Sequence, residues 1–312
     1  MSTVSVCIVT YNSIGDIMAC LEAVVGQTHP VEQIIVVDNA SSDGSAAQVR
    51  QWSDRVHLEA NTVNVGFAGG QNQAIAKSNS DYVLALNPDV VLDPHYLSEI
   101  LAVMDRDPSI GSATGQLVLS DNPAVMDSAG LAFKRNRQAY DLAAGEPVAA
   151  WGTSLDVFGV SGAAAVYRAA MVRDISYNGQ FFDETFFAYK EDVDVAWRAR
   201  RLQWTAKYVP NARAVHRRGW KKGGRKALPL FVRRHSYQNR FFTLIKNEPA
   251  GWHWFGLLPL LIVTEGLKLG YIALFEPGLL ACWPTIWKKW PEMLEKRRWL
   301  KKRIQAANDR HR

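Results

Sequence analysis

The amino-acid sequence predicts an α/β protein. A mixed, mostly parallel sheet with flanking helices occupies residues 1–225, and an amphipathic, basic helical region follows over 226–312. Three observations predict this. Residues 1–120 alternate short apolar runs with stretches of helical periodicity, the signature of successive βαβ units. The apolar run Tyr82–Leu86 leads straight into the polar turn Asn87-Pro88-Asp89-Val90. In an open parallel sheet the carboxyl ends of strands face the binding crevice. In the last third of the chain the pattern changes to tryptophan and leucine mixed with lysine and arginine.

The elements follow in order. Val4–Thr10 is the first strand, with Asn12-Ser13 capping a helix that carries Ile17, Leu21, Val24 and Val25 and closes before Pro30. Residues 33–37 form the second strand, ending at Asp38-Asn39, and the polar run 40–45 opens a helix. Residues 56–58 make a short edge strand, and a glycine-rich stretch, 64–70, precedes a helix over 71–77. Pro88 fixes the turn after Tyr82–Leu86, and Pro94 sits in the first turn of a helix that runs to Met104. Strands at 112–119 and 154–160 flank a loop-rich stretch with Lys134, Arg135 and Arg137. The small-residue run 162–165 reads either as tight helix–sheet packing or as a place where a ligand approaches the backbone. Residues 205–209 and 212–215 are two further strand-like runs.

Composition narrows the class. With 48% hydrophobic and 21% charged residues, the chain belongs with folded proteins rather than disordered ones. Cys7, Cys20 and Cys282 lack the spacing of a zinc site or a disulfide framework. They fit a reducing cytosol, as does a first strand with no charged-then-apolar leader before it. The net charge of +6 is uneven: residues 213–240 hold ten Lys/Arg and no acid, and 288–312 hold ten Lys/Arg against three acids. A mildly acidic body with a basic C-terminal third points to a polyanionic partner.

Three sites carry candidate chemistry. Asp89, at a strand end, can hold a divalent cation or simply shape a strand-to-helix turn. The aromatic run Phe186-Phe187-Ala188-Tyr189 ends in the acidic cluster Glu191-Asp192-Val193-Asp194, which opens a helix. Helix capping favours acids there, yet three in four residues exceed what capping needs. One of them near apolar surface can be tuned as a general base. His216 ends an apolar run and is read equally as structural or as a ligand. In the C-terminal region Glu265, Lys268, Glu276, Pro277 and Pro284 interrupt the apolar pattern, so no run reaches the roughly 18–20 residues of a spanning helix. Tryptophans at 252, 254, 283, 287, 290 and 299 beside basic residues suit a helix pair lying on an anionic membrane surface, against a core-packing hairpin.

Five motifs occur in order: Val4 to Asn12, Val36 to Ser45, Asn64-Val65-Gly66-Phe67, Asn87-Pro88-Asp89-Val90 and Glu191-Asp192-Val193-Asp194. Together they resemble a family 2 glycosyltransferase of GT-A, Rossmann-like fold, and within it the bacterial rhamnosyltransferase-like branch. The resemblance implies that Thr10, Tyr11, Asn12 and Asp38 hold the base and ribose of a nucleotide-sugar. Asn64, Gly66, Asn72 and Asn87 would line the same donor site. It further implies that Asp89 binds Mg²⁺ or Mn²⁺, with His216 as second metal ligand. Asp192 would be the base, Glu191 and Asp194 its orienters or acceptor contacts, and Gly162, Ala163 and Tyr189 would shape the acceptor side. The sequence departs from the family pair of aspartates at Asn87, where the first carboxylate is an amide.

The implied reaction is an inverting displacement that moves a sugar, L-rhamnose from dTDP-rhamnose or a hexose from a UDP-sugar. The acceptor would be polyprenyl-diphosphate-linked or of lipopolysaccharide type, and the enzyme cytoplasmic and peripheral on the inner face of the cell membrane. A nucleotidyltransferase would want more carboxylates and a phosphate-cradling loop. A nucleic-acid binder leaves Asp38, Asp89 and Asp192 without a use, so no nucleic-acid partner is expected.

Overall fold

The computed structural model describes residues 1–217, 228–249, 251 and 254–310. The expected division at 225/226, the basic residues from Arg218 to Lys226 and Trp252 lie outside the described residues. The strands are β1 (Val4–Thr10), β2 (Gln33–Asp38), β3 (Val56–Ala60), β4 (Tyr82–Leu86), β5 (Val90–Leu92) and β6 (Ile110–Leu119). They continue with β7 (Met126–Ser128), β8 (Leu131–Phe133), β9 (Ala139–Asp141), β10 (Leu155–Asp156), β11 (Ala164–Arg168) and β12 (Thr205–His216). The main sheet runs β3-β2-β1-β4-β11-β6-β12-β10. Its first four strands are parallel, as continuous apolar runs predict, and Val4, Val6, Ile8, Val36 and Leu84 are fully buried.

The helices in this half are α1 (Ile17–Val25), α2 (Ser45–Arg50), α3 (Gly66–Lys77) and α4 (Tyr96–Met104). Helix α3 starts five residues before the expected 71, inside the glycine-rich stretch. A Cβ at Gly70 would come within 2.9 Å of Val9, so the glycine lets the helix lie directly on β1.

The run 162–165 leads into β11, inserted antiparallel between β4 and β6 with Ala164 opposite Leu86 and Ala165 opposite Ala85. Its small side chains leave room for Tyr96, whose hydroxyl donates to the Ala164 carbonyl at 2.9 Å. The two runs expected at 205–215 form the single strand β12, parallel to β6, with a register shift between Val209 and Arg213. The strand expected over 154–160 is shorter. The Val157 amide still donates to Ala206 of β12 at 3.0 Å, after which the chain leaves that strand and the Leu131 amide donates to the Gly159 carbonyl.

Helices α5 (Ala169–Ile175) and α6 (Glu191–Arg201) complete the body, and α7 (Leu230–Asn247), α8 (Trp254–Phe275) and α9 (Trp283–Arg310) follow. α8 corrects the expectation that no apolar run is long enough to span. By length and composition, Phe255–Phe275 qualifies, with 11% of its apolar window buried. Of the expected interruptions only Glu265 and Lys268 fall inside it, Glu276, Pro277 and Pro284 lying beyond its end, and those two face inward. Leu257, Leu261, Glu265, Lys268 and Ile272 share the inward stripe, where Arg240 meets Glu265 at 2.6 Å. Phe255, Ile262, Val263, Leu267 and Leu274 are exposed on the outward side.

α7 and α9 lock onto the body through buried ion pairs. Lys246 reaches Asp183 at 2.7 Å and Asp194 at 2.9 Å, and Lys296 reaches Asp183 at 2.7 Å. Burial alone would raise the pKa of Asp183, but the two ammonium groups hold it below the usual carboxylate range. Asp194 is likewise held low, burial being outweighed by Arg198 and Lys246. A depressed carboxylate pKa stabilises the fold above the unfolded value, near pH 4, and that stability is lost as pH falls. Lys246→Met should therefore cost about 3–5 kcal/mol in urea unfolding at pH 7 by leaving carboxylates underpaired. The deficit should shrink as pH falls below about 4. A deficit independent of pH would contradict this assignment.

Candidate active site

Two cavities, of about 600 and 780 Å³, open at the carboxyl ends of the parallel strands and share Phe67, Asn87, Asp89, Ala188 and Tyr189 in their walls. Strand ends position the first. Tyr11 follows β1, Asn39 follows β2, Pro88 follows β4, and Asn64 and Gly66 open α3. Asn64 Oδ1 accepts the Gly66 amide at 2.8 Å, which closes the turn. Gly66 has φ +79°, and a Cβ there would meet the Phe187 carbonyl at 2.5 Å. Only glycine satisfies both constraints.

Thr10 and Asp38 sit one residue behind this wall, 0% and 2% exposed. Thr10 Oγ1 and Asp38 Oδ1 are buried with no hydrogen-bond partner. Asp38 Oδ2 accepts from the Ser41 amide at 3.0 Å. Orphaned polar atoms at a strand end are what a bound heterocycle can satisfy. Asn12, with φ 51°, turns its Oδ1 to the Ser42 amide at 2.9 Å and shapes the loop beside the cavity.

Asn72 departs from expectation. Its amide exchanges hydrogen bonds of 2.8 and 2.9 Å with the Phe182 backbone and donates to Glu184 at 2.9 Å. It staples α3 to the 182–184 segment and does not line either cavity.

The cavities meet at Asp89. Its Oδ1 lies 3.4 Å from His216 Nε2, although 127 positions separate the two residues. The sheet brings them together, since His216 at the end of β12 pairs with Val90 of β5. On the far side His216 Nδ1 meets Asp127 Oδ2 at 2.7 Å. Burial pulls the imidazole pKa down, but hydrogen bonds to Asp127 and Asp89 outweigh it and raise it to about 9. No group of three or more His, Cys, Asp or Glu among the described residues is arranged around one point. The donor set still fits a hard cation that takes its other ligands from phosphate oxygens and water. Asp127, a buried acid on the short strand β7, was not anticipated; it occupies the place of a carboxylate that orients a ligating imidazole.

The second cavity is walled by Gly162, Ala163, Tyr189, Glu191 and Asp192. Phe187, Tyr189 and Lys190 all have left-handed backbone, φ 61°, 72° and 75°. Asn239 of α7 holds this strained segment, its Nδ2 donating to the carbonyls of Phe186, Ala188 and Tyr189 at 2.9, 2.9 and 2.7 Å. The segment delivers the first turn of α6. Asp192 accepts from the Val193 amide at 2.7 Å and sits 3.4 Å from the Gly162 amide. Its pKa is raised by burial, with Lys190 opposing and Asp141 adding. Glu191 is more deeply buried, has an unpartnered Oε2, and is pushed up to about 8 by burial and then by Asp192.

Asp194 is corrected. It is 0% exposed and faces away from the cavity, its oxygens bound by Arg198, Lys246 and Asn247. Two residues along the helix, about 200° of rotation, put the wall carboxylate and the structural one on opposite faces of the same turn. Beyond His216, Arg217 meets Asp16 at 2.8 Å at the rim of the first cavity.

A family model described as Glycosyl transferase family 2 matches residues 5–175. The chain is 25% identical over 242 residues to the N-acetylglucosaminyl-diphospho-decaprenol L-rhamnosyltransferase of Mycobacterium tuberculosis, covering 70% of this chain and 76% of that protein. It is 23% identical over 214 residues to the poly-beta-1,6-N-acetyl-D-glucosamine synthase of Staphylococcus epidermidis, covering 67% of this chain and 48% of that protein. The chain thus spans about half the length of that synthase. In fold it resembles the mannosyltransferase PcManGT from Pyrobaculum calidifontis, solved with GDP-Man and Mn²⁺. The TM-score is 0.58 at 19% identity, covering 98% of this chain and 87% of that one. The expected GT-A architecture, a mixed and mostly parallel sheet with flanking helices, is the one observed.

Asp127→Asn should weaken Mn²⁺ binding by about 10–100-fold, the usual effect of removing a carboxylate behind a ligating histidine. Titration followed by the Mn²⁺ paramagnetic signal checks this. Unchanged affinity would remove Asp127 and His216 from the cation site.

Proposed function

The chain belongs to glycosyl transferase family 2, and from that premise we propose that it is an inverting glycosyltransferase of cell-surface glycan assembly. In this reading it moves L-rhamnose from dTDP-rhamnose to a lipid-linked acceptor. The observation that carries it is the meeting of two cavities at Asp89, one walled by strand ends with orphaned polar atoms one residue behind the wall, the other by the carboxylate of Asp192. The rhamnosyl donor and lipid-linked acceptor rest on likeness to the mycobacterial enzyme.

In this reading Thr10, Tyr11 and Asp38 take the nucleoside, and Asn64, Gly66 and Asn87 take the ribose and donor sugar. Asp89 and His216 hold Mg²⁺ or Mn²⁺, which when bound offsets the charge of the departing diphosphate. Asp192 removes the proton from the acceptor hydroxyl. Its raised pKa makes it a better base than a solvated aspartate, while the Gly162 and Val193 amides fix its direction. Glu191 at its side raises that basicity further when ionised, and Tyr189, Gly162 and Ala163 shape the acceptor's berth. The outward apolar face of α8 and the basic α9 dock the enzyme on the cytoplasmic leaflet. A UDP-hexose donor is the second reading, supported by the likeness to the poly-N-acetylglucosamine synthase.

The test is transfer of labelled sugar from dTDP-rhamnose, UDP-glucose, UDP-galactose and UDP-N-acetylglucosamine to bacterial lipid extract. Rhamnosyl transfer is expected, with Asp192→Asn lowering kcat by about 10²–10⁴-fold while donor KM changes little. Transfer from UDP-sugars alone moves the donor to the second reading. Full turnover by the variant would unseat Asp192. Mixed with anionic vesicles, the full chain should sediment with them and stay bound when salt is raised, because apolar burial resists screening. Protein left in the supernatant would defeat the membrane reading.

A further inference from the structure

A small cavity of about 80 Å³ lies beside the acceptor cleft, and Ala139, Lys190, Val193 and Ser236 belong to both walls. Among the described residues its wall carries four cations, Arg137, Lys190, Arg240 and Lys268, and no carboxylate. Three of these are held from behind. Arg137 is gripped by Glu248 at 2.8 and 2.9 Å. Arg240 meets Glu265 at 2.6 Å and donates to the Asn136 and Arg137 carbonyls at 2.8 Å. Lys268 lies 5.2 Å from the centre of the Tyr237 ring and 3.9 Å from Glu265. The Lys190 ammonium faces Asp192 and Asp141, whose charges oppose the effect of its burial.

Two carboxylates, Glu248 and Glu265, thus pin three cations, and Lys190, which lines both cavities, adds a fourth. Pre-organised guanidinium forks beside ammonium groups, partly shielded from water, form an anion site. On one side of it stands Asp192. On the other, Lys268 is carried by α8, whose outward face is apolar.

Resting on the reading of the site as a glycosyltransferase with a lipid-linked acceptor, we propose that Arg137, Lys190, Arg240 and Lys268 bind one phosphate of the diphosphate that joins the acceptor sugar to its lipid. The sugar then faces Asp192 and the lipid chain leaves along α8. The volume suits one phosphate group, and the order sugar, phosphate, lipid matches the order carboxylate, cations, apolar helix.

Titration calorimetry of the full chain with farnesyl diphosphate tests this, with a chelator present so that no divalent cation bridges the probe at Asp89. Farnesol and inorganic diphosphate are the comparison probes. Lys190→Asn keeps a residue that tolerates left-handed backbone, and Lys268→Gln alters a different helix. Each variant should bind farnesyl diphosphate at least about tenfold more weakly than the parent, a factor equal to about 1.4 kcal/mol. Farnesol should not bind, and inorganic diphosphate should bind more weakly than the prenyl ester. Equal affinity of parent and both variants overturns the proposal, as does absence of binding to the parent. Inorganic diphosphate bound as tightly as farnesyl diphosphate marks a free-anion site and overturns the lipid assignment. The melting-temperature rise with dTDP and Mn²⁺ should be the same in both variants, showing that they fold. That readout belongs to the donor cleft, so its loss in the parent would count against glycosyl transfer and leave the prenyl titration to judge the phosphate site.

Discussion

The constraint on which the rest of the structure depends is the pairing of Asp183 and Asp194 with Lys246, Lys296 and Arg198. Ionised groups withdrawn from water are costly unless matched, and Glu292, 2.6 Å from Lys296, brings the carboxylates to three against three cations. The matching here demands that α6, α7 and α9 keep fixed positions. Asp194 and Asp192 share the first turn of α6, so anchoring the first aims the second into the cleft. Asn239, three residues before Phe242 on the same helix that carries Lys246, holds the strained loop in front. The C-terminal helices therefore complete the catalytic cleft as well as presenting an apolar and basic face.

The sheet has a division of labour. Four parallel strands end at the first cavity, where the chain turns sharply at Tyr11, Asn39 and Pro88. The inserted antiparallel β11 and the parallel pair β6 and β12 build the other half of the sheet. Asp89 stands at the seam, and β5 pairing with β12 is what carries His216 to it. The small cavity shares wall residues with the second one and reaches α8 through Lys268.

Much of this was legible in the sequence because local pattern and local function coincide at strand ends. The strand Tyr82–Leu86, the turn to Asp89 and the acidic opening of α6 follow from residues close in the chain. What was not legible depends on distant pairings or on the direction a side chain faces. Asp127 reads as an isolated acid in a loop-rich stretch, and only the β6–β7 pairing sets it behind His216. Asn72 and Asp194 sit in plausible motifs yet face partners fixed by tertiary packing. In α8, Glu265 and Lys268 look like interruptions along the chain and prove to be the inward stripe of an otherwise outward-facing apolar helix.

The most direct test of the central claim is a thermal-shift comparison of the full chain with Asp89→Ala, using dTDP, UDP and GDP, each with and without Mn²⁺. A ligand bound only by the folded state raises the melting temperature. For the parent, a nucleotide should raise the melting temperature and Mn²⁺ should enlarge the rise; in Asp89→Ala the Mn²⁺ increment should vanish. An undiminished Mn²⁺ increment in the variant, or no shift with any nucleotide in the parent, would contradict the account.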